Sequence, residues 1–417
     1  MAKPAGIAFG RYMRTLRQRK ELSIQEVCRV LLNASEGTDA GSLSRLERGR
    51  QQLAAGKLAA LCRVYEVSPA VPLERLDLDH AVEQHVVLDT DGKSAAVLLD
   101  LGRKALERAE RWDAYACFRD ALLEDVQDDH ALRFNLATAA RAMGRFRFAL
   151  HEFEVLGEDC RDRPLHPAVL ERIASTLRSI GDLDSAERYA WASAEAARSR
   201  DDARTLGYAF TSLANVNIAR LGDPELTVDY LNMAHRAARD SKLDDGALVP
   251  NAHFEVSTLN SLAETYLASG RDESARRAAA AALKLSDQHG FRVGRAYAQL
   301  FLGQVDESCG REERAEERWR EALATAESAE NKRLSFCAQF YLFRQALRLG
   351  EFARSKVLRR SLQRLAPWVP EQLPLLADFR SLAAGDAKRT PDKSTQPRAG
   401  STARTRRQAS RAQPPTE

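Results

Sequence analysis

Apolar positions along the chain fall at helical spacing, and the breaks between the stripes carry helix-capping residues. A first helix is predicted from Ala8 to about Lys20, followed by a break at Glu21 and Leu22. Ser23 and Glu26 form an S-x-x-E pair, whose reciprocal bonds to free amides open a second helix. Beyond the polar stretch NASEGT, Asp39 is suited to cap a third helix running to about Arg48, and Gly49 to end it. A fourth is expected from about Ala54 to Tyr65, with Leu58, Leu61, Cys62 and Tyr65 on one face and a stop near Pro69. Residues 70–92, with Pro72 and the acidic run DLDHAVEQHVVLDTDG, read as a linker with room for one short helix.

From residue 93 to 385 the pattern repeats. A glycine is followed five residues later by a small residue at Gly144 and Ala149, Gly181 and Ala186, Gly222 and Thr227, Gly270 and Ala275, Gly310 and Ala315, and Gly350 and Ser355. Ala109 and Ala114 make an earlier copy, and helical stripes flank each turn, as in LRFNLATAARAMG and RDESARRAAAAALKLSDQ. A glycine permits a tight turn, and a small residue lets the second helix close on the first. About seven helical pairs are therefore expected, in an all-α chain.

Composition supports this class: hydrophobic residues make up 44% and aromatic residues only 7%, with helix formers in place of β-branched or aromatic runs. The six cysteines form no CxxC pair and no ligand set with the eight histidines, so neither a metal nor a redox role is expected. With no leader-like segment and no membrane-length apolar run, a cytoplasmic protein without membrane contact is expected. Gly-rich phosphate loops, HExxH and GxSxG are all missing, so no catalytic residue, cofactor or enzyme activity is assigned. Charge is uneven. Residues 1–69 hold twelve Lys or Arg against six Asp or Glu, residues 386–417 hold eight against three, and the net charge of +4 leaves the middle acidic. A polyanion would be met at the ends. The final segment, rich in Pro, Ser, Thr and Arg, lacks the apolar residues needed to order itself and reads as a disordered basic tail.

Residues 8–69 resemble the lambda-repressor-like, or XRE-type, helix-turn-helix domain of bacterial and phage regulators, on YMRTLRQRKELSIQEV, SLSRLERGR and LAALCRVYEVSP. The resemblance implies an ion pair between Arg17 and Glu47, which explains a lone acid among the arginines of SLSRLERGR. It also implies that the third helix enters the major groove of double-stranded DNA. Ala40, Gly41, Ser42 and Arg45 would then point at base edges. The first two offer only an apolar contact or close backbone approach, Arg45 suits guanine, and Ser42 or Ser44 assists. Arg48, Arg50 and Lys57 would hold phosphates. The stretch LLNASEGTD is longer here than is usual in the family.

The glycine repeat resembles the tetratricopeptide repeat, in which stacked helical pairs form a superhelix lined by the first helix of each pair. On that likeness Arg141, Glu171, Arg178, Asn260, Glu264, Gln304 and Arg344 line the inner wall, and Asn135 stands where the fold presents an asparagine to a peptide backbone. The layout is similar to that of peptide-responsive quorum-sensing regulators. It implies a homodimeric, sequence-specific transcription regulator with a peptide or protein effector. The competing reading is a tetratricopeptide scaffold that recruits other proteins and carries a degenerate helix-turn-helix.

Overall fold

The structure is a computed structural model and describes residues 5–33, 37–51, 54–108, 110–124, 126, 128–220, 222–240, 249–329, 331–369 and 373–389. Among these residues the chain is helical with no strand, and it forms two compact units, Met1–Glu330 and Asn331–Glu417.

The first unit opens with five helices: α1 (Ala5–Arg19), α2 (Ile24–Asn33), α3 (Ala40–Glu47), α4 (Ala55–Val64) and α5 (Ala70–His85). Their boundaries follow from the caps. The Ser23 amide donates to the Glu26 carboxylate at 2.7 Å and the Glu26 amide donates to Ser23 Oγ at 3.2 Å, closing the box that starts α2. Asp39 accepts from the Ser42 amide at 2.7 Å at the start of α3. Gly49, at φ 70°, turns the chain out of α3. Close packing of α1 on α3 also requires glycine, since a Cβ at Gly10 would lie 2.3 Å from the Leu46 carbonyl oxygen. Met13, Leu16, Val27, Leu31, Leu43, Leu46 and Leu61 fill the space between these helices.

Residues 70–85, expected within a linker, instead form the continuous helix α5. Pro69 and Pro72 fall at its start, where an absent amide proton costs nothing. Val71, Arg75, Leu78, Asp79 and Val82 make a buried stripe at helical spacing, and α5 packs on α1 on one side and on the repeats on the other. The stripe was masked because two of its positions are charged and are buried as a pair.

Six helical hairpins follow in the same unit. They are α6 (Ala95–Glu107) with α7 (Arg111–Ala121), α8 (His130–Ala142) with α9 (Phe146–Asp159), and α10 (His166–Ile180) with α11 (Leu183–Ser199). Next come α12 (Ala203–Ala219) with α13 (Pro224–Asp240), α14 (Val249–Ala268) with α15 (Asp272–His289), and α16 (Arg292–Ser308) with α17 (Glu312–Ser328). Each packs on its neighbour, and the first helices also touch one another, α8 on α10, α10 on α12 and α14 on α16. The small residues of the repeat explain the close hairpins: Ala114, Ala149, Ala186, Ala275 and Ala315 have no exposed surface, and Thr227 has 1%. Gly144, Gly181, Gly270 and Gly310 take the left-handed conformation between the paired helices, whereas Gly222 does not.

The second unit contains the seventh hairpin, α18 (Lys332–Arg348) with α19 (Phe352–Leu365), then a single 3-10 turn and α20 (Pro374–Arg389). Asn331 caps α18 by accepting from the Leu334 amide at 3.0 Å. Phe336 and Phe343 meet Phe379 of α20 edge to face, with ring centroids 5.9 and 5.8 Å apart. Helix α20 extends past the expected boundary at 385, and the rest of the basic tail, 390–417, lies outside the described residues.

Candidate nucleic-acid interface and effector wall

The third helix is fixed from beneath by its one acid. Arg17 of α1 donates from Nε and Nη2 to the two Glu47 oxygens at 2.7 and 2.9 Å, and from Nη1 to the Leu22 carbonyl at 2.6 Å. The bond to Glu47 raises the Arg17 pKa above its ordinary value. With both acceptor oxygens occupied inside the domain, the remaining arginines of SLSRLERGR are left outside. Ala40, Gly41, Arg45, Arg48, Arg50 and Lys57 are exposed, and Ser44 is half-buried. Ser42 differs from the expectation. Its side chain is buried, and Oγ donates to Asp39 at 2.6 Å, so it completes the cap instead of addressing a base edge. Ser42 Oγ in turn accepts from Arg45 Nη2 at 2.9 Å, while Arg45 Nε donates to Gln51 at 2.9 Å. Arg48 lies back along its helix, bonded to Ser44 Oγ at 2.6 Å. The extended stretch before α3 includes residues 34–36, outside the described residues.

On the repeats, residues of α8, α10 and α12 converge. Glu171 is buried, accepting from Ser212 Oγ at 2.9 Å on one oxygen and pairing with Arg172 at 3.0 Å on the other. Arg172 also lies over the Tyr208 ring, 5.9 Å from its centroid. Arg141 stands beside this group. Burial first, then the repulsion of Arg172 and Arg178 against the attraction of Glu171, pulls its guanidinium down to about 10. It therefore stays cationic at neutral pH. Its Nε is enclosed without a hydrogen-bond partner. Of the expected wall residues, the structure thus gathers Arg141, Glu171 and Arg178, and it adds Arg172, Tyr208 and Ser212, which are not among the residues expected from the sequence.

The other expected wall residues are less free or stand apart. Asn135 donates to the Ala131 carbonyl of its own helix at 2.7 Å. Asn260 is buried and ties α14 to α16 by donating to the Gly294 carbonyl at 3.0 Å, which makes it a packing residue on that side. Glu264 is exposed, Gln304 is half-buried, and in the second unit Arg344 lies 5.0 Å from the Tyr341 ring centroid. Among the described residues no group of His, Cys, Asp and Glu is placed to hold a metal ion, and no helix is long and apolar enough to cross a membrane.

Residues 8–76 match the family model described as a helix-turn-helix domain. The N-terminal domain is a helix-turn-helix domain. No curated protein matches the chain. Among solved structures, the chain is similar to a Rap protein complexed with competence and sporulation factor, at 12% identity over 91% of this chain and 92% of that one, with a TM-score of 0.50. It is also similar to a STAND signal transduction ATPase with a tetratricopeptide repeat sensor from Pyrococcus horikoshii. There the identity is 14% over 83% of this chain and 52% of that chain, with a TM-score of 0.51. The apo quorum sensor NprR from B. thuringiensis matches at 14% identity over 76% of this chain and 95% of that one, with a TM-score of 0.46. The first two likenesses show a common fold of stacked helical hairpins.

The helix-turn-helix domain does not hang on a loose tether. Through α5 it docks on α7 and α9, and through Tyr12 and Arg19 of α1 on α9, with a contact that is polar at its centre. Arg75 pairs with Asp79 at 2.8 Å within α5 and lies 5.4 to 5.7 Å from the rings of Tyr12, Tyr115 and Phe148. Tyr115 of α7 donates to Asp79 at 3.1 Å. Nearby, Arg19 of α1 reaches Glu152 of α9 at 3.2 and 3.4 Å, with Arg133 of α8 on the same carboxylate at 3.6 Å. Burial alone would raise the Glu152 carboxyl, but Arg19 and Arg133 overcome it and hold the pKa at about 2. None of these joint residues was read from the sequence, since they are spread over α1, α5, α7, α8 and α9 and no motif links them.

Proposed function

We propose that the chain is a sequence-specific DNA-binding transcription regulator whose helical repeats receive a peptide or protein effector. The observation that carries the reading is the orientation of the helix-turn-helix domain. It spends α1 and α5 on the repeats and leaves Arg45, Arg48, Arg50 and Lys57 exposed. Arg45, on the third helix, is suited to a guanine edge, and Arg48, Arg50 and Lys57 to phosphates. The Rap protein of similar fold is complexed with competence and sporulation factor, and the Pyrococcus horikoshii protein carries its repeats as a sensor. Both support a ligand on the repeats here.

Two copies on half-sites about one helical turn apart would match the usual use of this motif, in the cytoplasm and without a catalytic step. The deciding experiment is a mobility shift against genomic fragments at moderate salt. A regulator selects fragments, with footprints spanning two half-sites and two chains per duplex. A scaffold that uses the domain for protein contact binds all fragments alike or none.

A further inference from the structure

We propose that the cavity at the joint between the helix-turn-helix domain and the repeats is a binding site for a small oxyanion.

The cavity, of about 100 Å³, is bounded by Tyr12 and Arg19 of α1, Arg133 of α8 and Glu152 of α9. It has room for a group of a few non-hydrogen atoms and none for a peptide. Two of its side chains are buried with donors that meet no acceptor among the described residues. Tyr12 is 7% exposed with an unpartnered hydroxyl, and Arg133 is 8% exposed with unpartnered Nε and Nη2. Glu152 lies 3.6 Å from Arg133 Nε, too far for a hydrogen bond, and its two oxygens already accept from Arg19 at 3.2 and 3.4 Å. What the site lacks is therefore an acceptor. A buried donor left unpaired costs free energy, and a ligand that brings the missing oxygen removes that cost.

The charges nearest the space favour an anion over a neutral acceptor. Five arginines line it, Arg11, Arg19, Arg75, Arg119 and Arg133, against two acids, Asp129 and Glu152. Asp79, Asp120 and Asp159 pair with Arg75, Arg119 and Arg133 at 2.8, 2.8 and 2.9 Å, but from outside the lining, and Coulomb attraction falls with distance. Arg11 is bonded to a backbone carbonyl, that of Leu123. A water in this place would have to donate as well as accept, whereas an oxyanion only accepts. A guanidinium fork meets phosphate or carboxylate oxygens through two parallel bonds. Bound there, the anion joins α1 of the helix-turn-helix domain to α8 of the repeats.

The test titrates the full chain, without DNA, with sodium phosphate, with sodium acetate and, as a reference that lacks oxygen acceptors, with sodium chloride, at matched ionic strength. Binding is followed by calorimetry and by thermal melting. The expected result is saturable binding of an oxyanion, with a rise in melting temperature that chloride does not match. Whichever of phosphate and acetate saturates at the lower concentration identifies the headgroup the site prefers. Tyr12→Phe should weaken the affinity about threefold or more, and it should leave the melting temperature of the ligand-free chain unchanged or higher, because the hydroxyl has no bond to lose. Arg133→Gln should weaken the affinity about tenfold or more. Should that variant not fold, Tyr12→Phe still decides, since it removes one oxygen atom and nothing else. Arg188→Gln, on an exposed part of α11, should bind as the parent does. No saturation by either oxyanion, equal stabilisation by chloride, or a Tyr12→Phe chain that binds like the parent would overturn the proposal. Because no DNA is present, any of these failures leaves the DNA-binding reading standing.

Discussion

At Glu47 a carboxylate with a 5% exposed side chain holds an arginine through two bonds, so the energetics are those of a shielded pair. Replacing Glu47 with glutamine leaves Arg17 without a countercharge and should lower the stability of the chain by about 3 kcal/mol. A chemical denaturation midpoint unchanged within error would refute that. Arg45 belongs to the opposite class, exposed and held only by Ser42 and Gln51, partners it can release. Arg45→Ala is expected to cost about 1–3 kcal/mol on a specific site and to relax preference at one base pair, while Arg50→Ala weakens all sequences alike. Equal loss by both variants on specific and random duplexes would remove Arg45 from the readout. The residue type and position were legible for Arg17, Glu47 and Arg45. Ser42 was not, because a serine three residues after an Asp cap can serve the cap or the groove, and only its burial decides.

Among the elements, α2 and α3 were readable from their caps and the hairpins from the glycine and the small residue after it. Helix α5 was hidden for the reason that makes it interesting: it buries an Arg–Asp pair where apolar residues are expected. The neighbouring contact of α1 with α9 depends on one ionised acid, Glu152. Glu152, with a folded pKa of about 2 against an ordinary 4.5, favours the folded state above pH 4.5, and that stabilisation is lost as pH falls from 4.5 toward 2. Acid titration of the native chain by circular dichroism should therefore show an unfolding limb in this window. In Glu152→Gln the limb should shrink, with the stability at neutral pH already lower by about 3 kcal/mol. Parallel acid curves for the two proteins would show that the pair contributes nothing.

Across the first unit, the proposed effector wall and the DNA-binding domain are connected by packed helices and not by a tether. Helix α9 touches α8 and α10, which carry Arg141 and Arg172, and it also touches α5 beneath the helix-turn-helix domain. A ligand that shifts α8 against α10 therefore moves the surface on which α5 rests. Coupling of this kind is reciprocal: the ligand changes DNA affinity by the factor by which DNA changes ligand affinity. The Arg19–Glu152 contact lies on that path, at the point where α1 meets α9. In Glu152→Gln, DNA and the peptide or protein effector should each still bind alone, while the coupling factor measured in the native chain falls toward one. Both affinities are to be measured with and without the other ligand, in native and variant chains. An unaltered factor in the variant would show that the joint is passive and that communication runs elsewhere.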